Sequence, residues 1–193
     1  MPSSPKIPKD KILETALLLL IRDGYSLLNI KTLAKELGCS TQPISWHFGN
    51  MDGLRKALAE YALGYANEKM RSTANGIKAF ANVGEAYINM AFEEPHLFRY
   101  LYMSGEIDCQ AENFEVFNSD ENAIMAEQIA MQLKIPIEKV KTYGTNMMIY
   151  THGLASFIVS GFVKASKEEV WQMVNHLSDE LLLQAGASDI CTN

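Results

Sequence analysis

A chain of 193 residues, 48% of them apolar, can bury a full core, which excludes wholesale disorder. Its longest uninterrupted apolar run, residues 16–21, falls far short of the roughly 20 residues that a membrane-spanning helix needs. Cys39, Cys109 and Cys191 lie far apart without C-x-x-C spacing, which argues against a disulfide framework or a zinc site and for reduced thiols in a cytoplasm.

The net charge of −6 is unevenly distributed. Through Lys56 there are eight basic residues (Lys6, Lys9, Lys11, Arg22, Lys31, Lys35, Arg55, Lys56) against five acidic ones (Asp10, Glu14, Asp23, Glu36, Asp52), a net of +3. The remainder has nine against eighteen, a net of −9. A basic head on an acidic body is the asymmetry expected when only the head approaches phosphate.

In chain order, residues 1–8 hold three prolines and two serines and are expected to form a disordered arm. Lys6, Lys9 and Lys11 precede an apolar stretch in the manner of a weak signal peptide, but Glu14 interrupts it and Arg22-Asp23 follow it without a small-residue cleavage site. The segment therefore reads as a cytosolic amphipathic helix over 9–23. Leu13, Ala16, Leu17 and Leu20 share one face, and Gly24 is the stop. Asn29 is expected to cap a second helix ending at Gly38, and Ser40 or Thr41 a third ending near Phe48. Asn50 is expected to cap a fourth that runs towards Met70. Further helices are expected at about 76–93, 95–103, 113–133, 137–163 and 167–185, with Pro95 in a first turn and Pro136 between two helices. No stretch reads as strand. The fold class is all-α: a three-helix helix-turn-helix head over 9–56 and a larger C-terminal helical body, for effector binding and dimerisation, over 57–193.

Residues 29–48 carry the function. Two short helices that cross steeply need a small residue beneath the crossing, and Ala34 is small. The turn needs a residue tolerant of positive φ four positions later, and Gly38 supplies it. An apolar residue must pin the second helix to the first, and Ile44 lies six further on. That geometry frees the second helix for a major groove. Thr41, Gln42 and Pro43 are then the leading base readers, since Gln pairs bidentately with adenine while Thr and Pro offer a methyl or apolar face to thymine. Ser45, Trp46 and His47 lie a turn later, placed for phosphate, and Asn50 heads the next helix, whose N–H groups favour phosphate too. Asn29, Lys31 and Ser40 complete the candidate DNA-binding set.

The sequence here resembles the TetR family of regulators: the helix over 12–21, Asp23-Gly24-Tyr25, Leu33-Ala34-Lys35-Glu36-Leu37-Gly38, and above all Trp46-His47-Phe48 followed by Asn50 and Leu54. The resemblance spans roughly a quarter of the chain. It implies a homodimer whose two heads read a palindromic operator on double-stranded DNA, usually as a repressor released by a small effector. Two positions depart from the family pattern. Ser45 stands where the family usually has tyrosine, and Met51 where it tends to have lysine. Both are typical phosphate contacts, so the resemblance implies a weaker backbone grip, or one supplied by Lys31, Arg55 or the lysines of the arm.

The body is rich in aromatics and methionine, and a TetR-like head favours reading part of this as the lining of an effector cavity. The candidates are Phe92, Met103, Met147, Tyr150 and His152, with His152 the leading polar group. The last two helices carry apolar stripes that include Ile149, Ile158, Val159 and Phe162, then Val170, Val174, Leu177 and Leu181, and suit a four-helix dimer bundle. No catalytic motif, metal-ligand pattern or cofactor fingerprint is found; the segment from Gly49 to Gly53 imitates the start of a phosphate loop but continues Leu54-Arg55 instead of Lys-Ser/Thr. The competing readings are an enzyme of unknown class and a helix-turn-helix whose head has lost DNA and acts through protein or ligand contacts.

Overall fold

Leu13, Ala16, Leu17 and Leu20 recur at helical spacing, and in the computed structural model all four are buried on one face of α1 (Lys9–Asp23). The structure describes residues 7–74, 76, 79–105 and 120–187. After α1 come a 3-10 turn (Tyr25–Leu27), α2 (Ile30–Glu36), α3 (Gln42–Phe48), α4 (Met51–Arg71), α5 (Ala79–Glu93), α6 (Pro95–Tyr102), α7 (Asp120–Leu133), α8 (Ile137–Ser160) and α9 (Lys167–Ala185). Among the described residues there is no strand, so the fold is all-α. The arm residues 1–6, the connection over 106–113 and the start of the helix expected from 113 lie outside the described residues, as do Cys109 and Cys191.

Most helix limits follow from local chemistry. Gly24 ends α1 at φ 83°, a backbone shape that an L side chain rarely adopts. The Asn29 side chain accepts from the Lys31 and Thr32 amides at 3.0 Å, while the Thr32 hydroxyl oxygen accepts from the Asn29 amide, closing a capping box on α2. A second box, between Ser166 and Glu169, starts α9 and holds the Glu169 carboxyl below its usual range through the bonds it accepts from Ser166. Asn50 caps α4 by accepting from the Gly53 amide at 3.0 Å.

Three expectations are corrected. Thr41 occupies the cap position of α3, but its side chain makes no capping bond. Its backbone is helical there (φ −70°, ψ −14°), and Pro43, two residues on, has no N–H to be capped. Helix α5 begins at Ala79, later than residue 76, because Gly76 takes φ 62° and cannot lie within a right-handed helix. Helix α8 ends at Ser160, earlier than residue 163, because Gly161 turns the chain at φ 74°.

The chain divides into two compact units. The first comprises residues 1–67 and 94–108. Its core holds Ile12, Leu20, Leu33, Ile44, Leu54, Leu58, Leu97 and Phe98, each fully buried. Helix α6 belongs here, packed on α1: the Tyr100 ring lies 4.9 Å from that of Tyr25, and the His96 ring approaches so closely that a Cβ on Gly24 would stand 3.1 Å from its Nδ1. Each such apolar side chain removed from water contributes about 1.5–3 kcal/mol.

The second unit comprises residues 68–93 and 109–193. Within it α8 packs against α5, α7 and α9. Gly144 lets the Phe80 ring rest on α8, since a Cβ there would fall 2.9 Å from the ring's far carbon. Tyr143 meets Phe80 edge-on and shares a buried 2.8 Å hydrogen bond with Ser178 of α9. Burial pushes the Tyr143 phenol up from its ordinary pKa, and the nearby Asp179 charge adds to this. No helix among the described residues is long and apolar enough to cross a membrane.

Candidate nucleic-acid interface

The head is set by how α2 and α3 cross. Ala34 is buried beneath the crossing, Gly38 turns the chain at φ 64°, and Ile44 inserts fully into the core. The Cys39 amide donates to the Ala34 carbonyl at 3.0 Å, closing the end of α2. Arg22 joins the far end of α1 to α2 through a 3.0 Å ion pair with Glu36, while also gripping Asp23. The guanidinium holds the Asp23 carboxyl below its usual range, and the two carboxylates hold Arg22 firmly charged. All three groups are exposed or half-exposed, so this pair orients more than it stabilises.

With Ile44 inward, Thr41, Gln42, Ser45 and Trp46 form the outward face of α3. Trp46 is 61% exposed on this face. Pro43 is half-buried on the flank, and Ser40 is exposed just ahead of the helix. On α2, Lys31 projects into solvent, whereas the Asn29 side chain is committed to its cap. Asn50 is exposed but likewise committed, to the α4 cap.

His47 does something that spacing does not reveal. Its Nε2 lies 3.0 Å from the carbonyl oxygen of Ile7, forty residues away in sequence. The Lys9 ammonium stands 5.8 Å from the centre of the Phe48 ring. These contacts fasten the beginning of α1 to the end of α3. Arg55 is similarly occupied, over the Tyr25 ring at 5.6 Å and 3.5 Å from Asp52. Gly53 also went unread in the sequence beyond its mimicry of a phosphate loop. A Cβ there would collide with the Phe48 carbonyl oxygen, so the α3–α4 corner is closed too tightly for any residue but glycine.

The five candidate effector residues are dispersed. Met103 ends α6 in the first unit and is 41% exposed. In the second unit Met147 is buried, and Phe92 and Tyr150 are half-buried. His152 lies on the exposed side of α8, its Nδ1 2.8 Å from the Tyr87 hydroxyl and its Nε2 3.5 Å from the Ser156 hydroxyl. Partial desolvation lowers its pKa from the ordinary histidine value. Among the described residues no group of three or more His, Cys, Asp or Glu side chains is arranged to hold a metal ion.

Residues 12–58 match the family model of the bacterial regulatory proteins of the tetR family. By sequence, the chain matches no curated protein significantly. Among solved structures, TetR from Acinetobacter baumannii AYE is 14% identical, the match covering 93% of this chain and 99% of that one with a TM-score of 0.66. A variant of TetR from the same strain, solved in complex with minocycline, is 16% identical over 94% and 99%, with a TM-score of 0.58. BioQ, solved with its natural double-stranded DNA operator, is 17% identical over 90% and 99%, with a TM-score of 0.50. At these identities the likeness is one of fold. Residues 12–58 therefore form a helix-turn-helix head of the kind found in the tetR family of bacterial regulatory proteins, and the whole chain shares the fold of the solved TetR structures.

Proposed function

We propose that the chain is a homodimeric repressor that reads a palindromic operator and is released by a small effector. The observation that carries this is the outward face of α3. Thr41, Gln42, Ser45 and Trp46 have no part in the core, yet Ile44 holds their helix rigidly. Thr41, Gln42 and Pro43 lead the base readout; Lys31, Ser40, Ser45, Trp46 and His47, with the α4 start at Asn50, grip the backbone. Asn29 acts by holding α2 in place. BioQ, of similar fold, is a structure with its DNA operator, which supports double-stranded DNA as the partner.

Residues 57–193 supply effector binding and dimerisation. In the second unit Val159, Val170 and Val174 are spent on the unit's own core, but Ile149, Phe157, Phe162, Met173 and Leu183 of α8, α9 and the turn between them stay on the surface. An exposed apolar set of this kind supports pairing with the same helices of a second copy. The minocycline complex of a TetR variant supports a small-molecule effector. Effector release is a population shift: the ligand must bind the two head spacings with different affinity. Helix α4 begins in the head and continues past Asn67 into the second unit, a covalent route for that shift. The reading is tested by measuring operator affinity and molar mass together. A chain that stays monomeric, or that binds every duplex alike, would refute it.

A further inference from the structure

Within the second unit, an open cleft of about 480 Å³ lies between the last turn of α4 and one face of α5. It is distinct from the five candidate effector residues, none of which lines it. Its walls are Lys69, Ser72 and Thr73 on one side and Asn82, Glu85, Asn89 and Glu93 on the other, with Ala86 between. The size suits a small molecule.

The hydrogen-bonding capacity of these walls is lopsided. The Ser72 hydroxyl donates to the Lys69 carbonyl at 2.9 Å, and the Thr73 hydroxyl to the carbonyls of Met70 at 2.7 Å and Asn82 at 3.2 Å. Their protons are committed, so towards the cleft both oxygens only accept. Glu85 and Glu93 are carboxylates and only accept as well. Glu93 gives one oxygen to Lys167 at 2.9 Å, and the Lys167 and Lys69 charges hold its carboxyl below the usual range. Glu85 has no ion-pair partner among the described residues. At the floor, between Glu85 and Glu93 at helical spacing, the Asn89 side-chain oxygen is sealed from solvent with no hydrogen-bond partner. A buried acceptor without a donor is costly, and a ligand donor removes that cost. Lys69 is the one cationic lining group, and its field acts on Glu93.

We infer that this cleft binds a small cationic amine, whose ammonium groups donate to Glu85 and, with a small turn of the amide, to Asn89. With two carboxylates against one ammonium the lining is net negative and repels an anion, and the Ser72, Thr73 and Asn89 oxygens add acceptors beside the side-chain N–H groups of Asn82 and Asn89, so a cationic donor is favoured over a neutral polyol. A molecule with two or more N–H donating cations is satisfied throughout. Because Lys69, Ser72 and Thr73 close the end of α4, such a ligand ties α4 to α5. That last step, and only that one, rests on the effector reading above.

The test is calorimetric titration of the full chain, without DNA, using putrescine and spermidine as probes and butane-1,4-diol and succinate as controls. The amines bind and the controls do not. Glu85→Gln, at an exposed position that tolerates the change, and Asn89→Leu each weaken amine binding by about tenfold. Asn89→Asp, which adds a carboxylate at the floor, strengthens it. No amine binding at about 10 mM, or binding unaltered in both weakening variants as for a general attraction to an acidic surface, overturns the inference and leaves the repressor reading standing. Amine binding that leaves operator affinity unchanged keeps the cleft and overturns its role as the effector site.

Discussion

His47, in the last turn of α3, holds the backbone carbonyl of Ile7 at 3.0 Å, joining the end of α3 to the segment that leads into α1. A carbonyl only accepts, so the imidazole Nε2 carries the proton in this contact. The residues of the arm include Lys6, and Lys9 sits on the Phe48 ring beside the same clasp. His47→Ala therefore releases the arm without opening the core. Operator affinity falls by about tenfold, near the value of one charge-assisted contact per head, while the melting temperature moves by no more than ~3 °C. Anisotropy titration beside a thermal melt separates the two. A large loss of stability would make His47 a packing residue instead.

Met51 opens α4 beside the corner with α3 and carries no charge. Met51→Lys adds one phosphate contact per head. Operator binding tightens, and the slope of log affinity against log salt steepens by about 0.9 per added contact. An unchanged slope would show that the start of α4 does not face the backbone.

Gly53 decides between two opposed effects. Alanine in a helix is favoured over glycine by about 1 kcal/mol. Against that, the new Cβ meets the Phe48 carbonyl oxygen, which belongs to the backbone and has no rotamer to yield. The collision wins: Gly53→Ala costs about 1–3 kcal/mol and weakens operator binding as α3 shifts on α4. A more stable variant, seen by denaturant unfolding, would contradict this.

The buried Tyr143–Ser178 bond gives the second unit a pH signature. The folded phenol titrates above its ordinary pKa, so in alkali the unfolded chain loses its proton first. Stability from this group is present below pH ~10 and is lost as the pH rises past that value. Tyr143→Phe removes the dependence and leaves the Ser178 hydroxyl without its partner, at a cost of about 1 kcal/mol near neutral pH. Melting curves at pH 7 and about 10.5 check both; an equal alkaline loss in the variant would assign it to another group.

The head was legible because each of its constraints is local. Asn29 ahead of its helix, Gly38 four after Ala34, and Ile44 six after Gly38 state a cap, a turn and a pin within sixteen residues, and the structure realises all three. What was illegible depends on distance or on backbone. The bond from His47 spans forty positions, and α6 joins the first unit although α5 and α7 belong to the second. Gly53 is needed because of a carbonyl, which no side-chain pattern records. The apolar stripe of α8 and α9 was visible, but which members stay outside was not: periodicity marks Val159 and Ile149 alike, and only packing buries the first and exposes the second. For the same reason a stripe of methionine and aromatic residues did not locate the amine cleft, whose lining is polar and comes from the end of one helix and the face of the next.

In the proposed function, two heads on one dimer read a palindrome. Selection of a random duplex library by the purified chain, followed by titration of the enriched duplex at two salt concentrations, tests it most directly. A dimeric operator reader enriches an inverted repeat, saturates at two chains per duplex, and loses its sequence preference in Gln42→Ala. Absence of any enriched sequence, or a single unrepeated half-site bound by one chain, would contradict it.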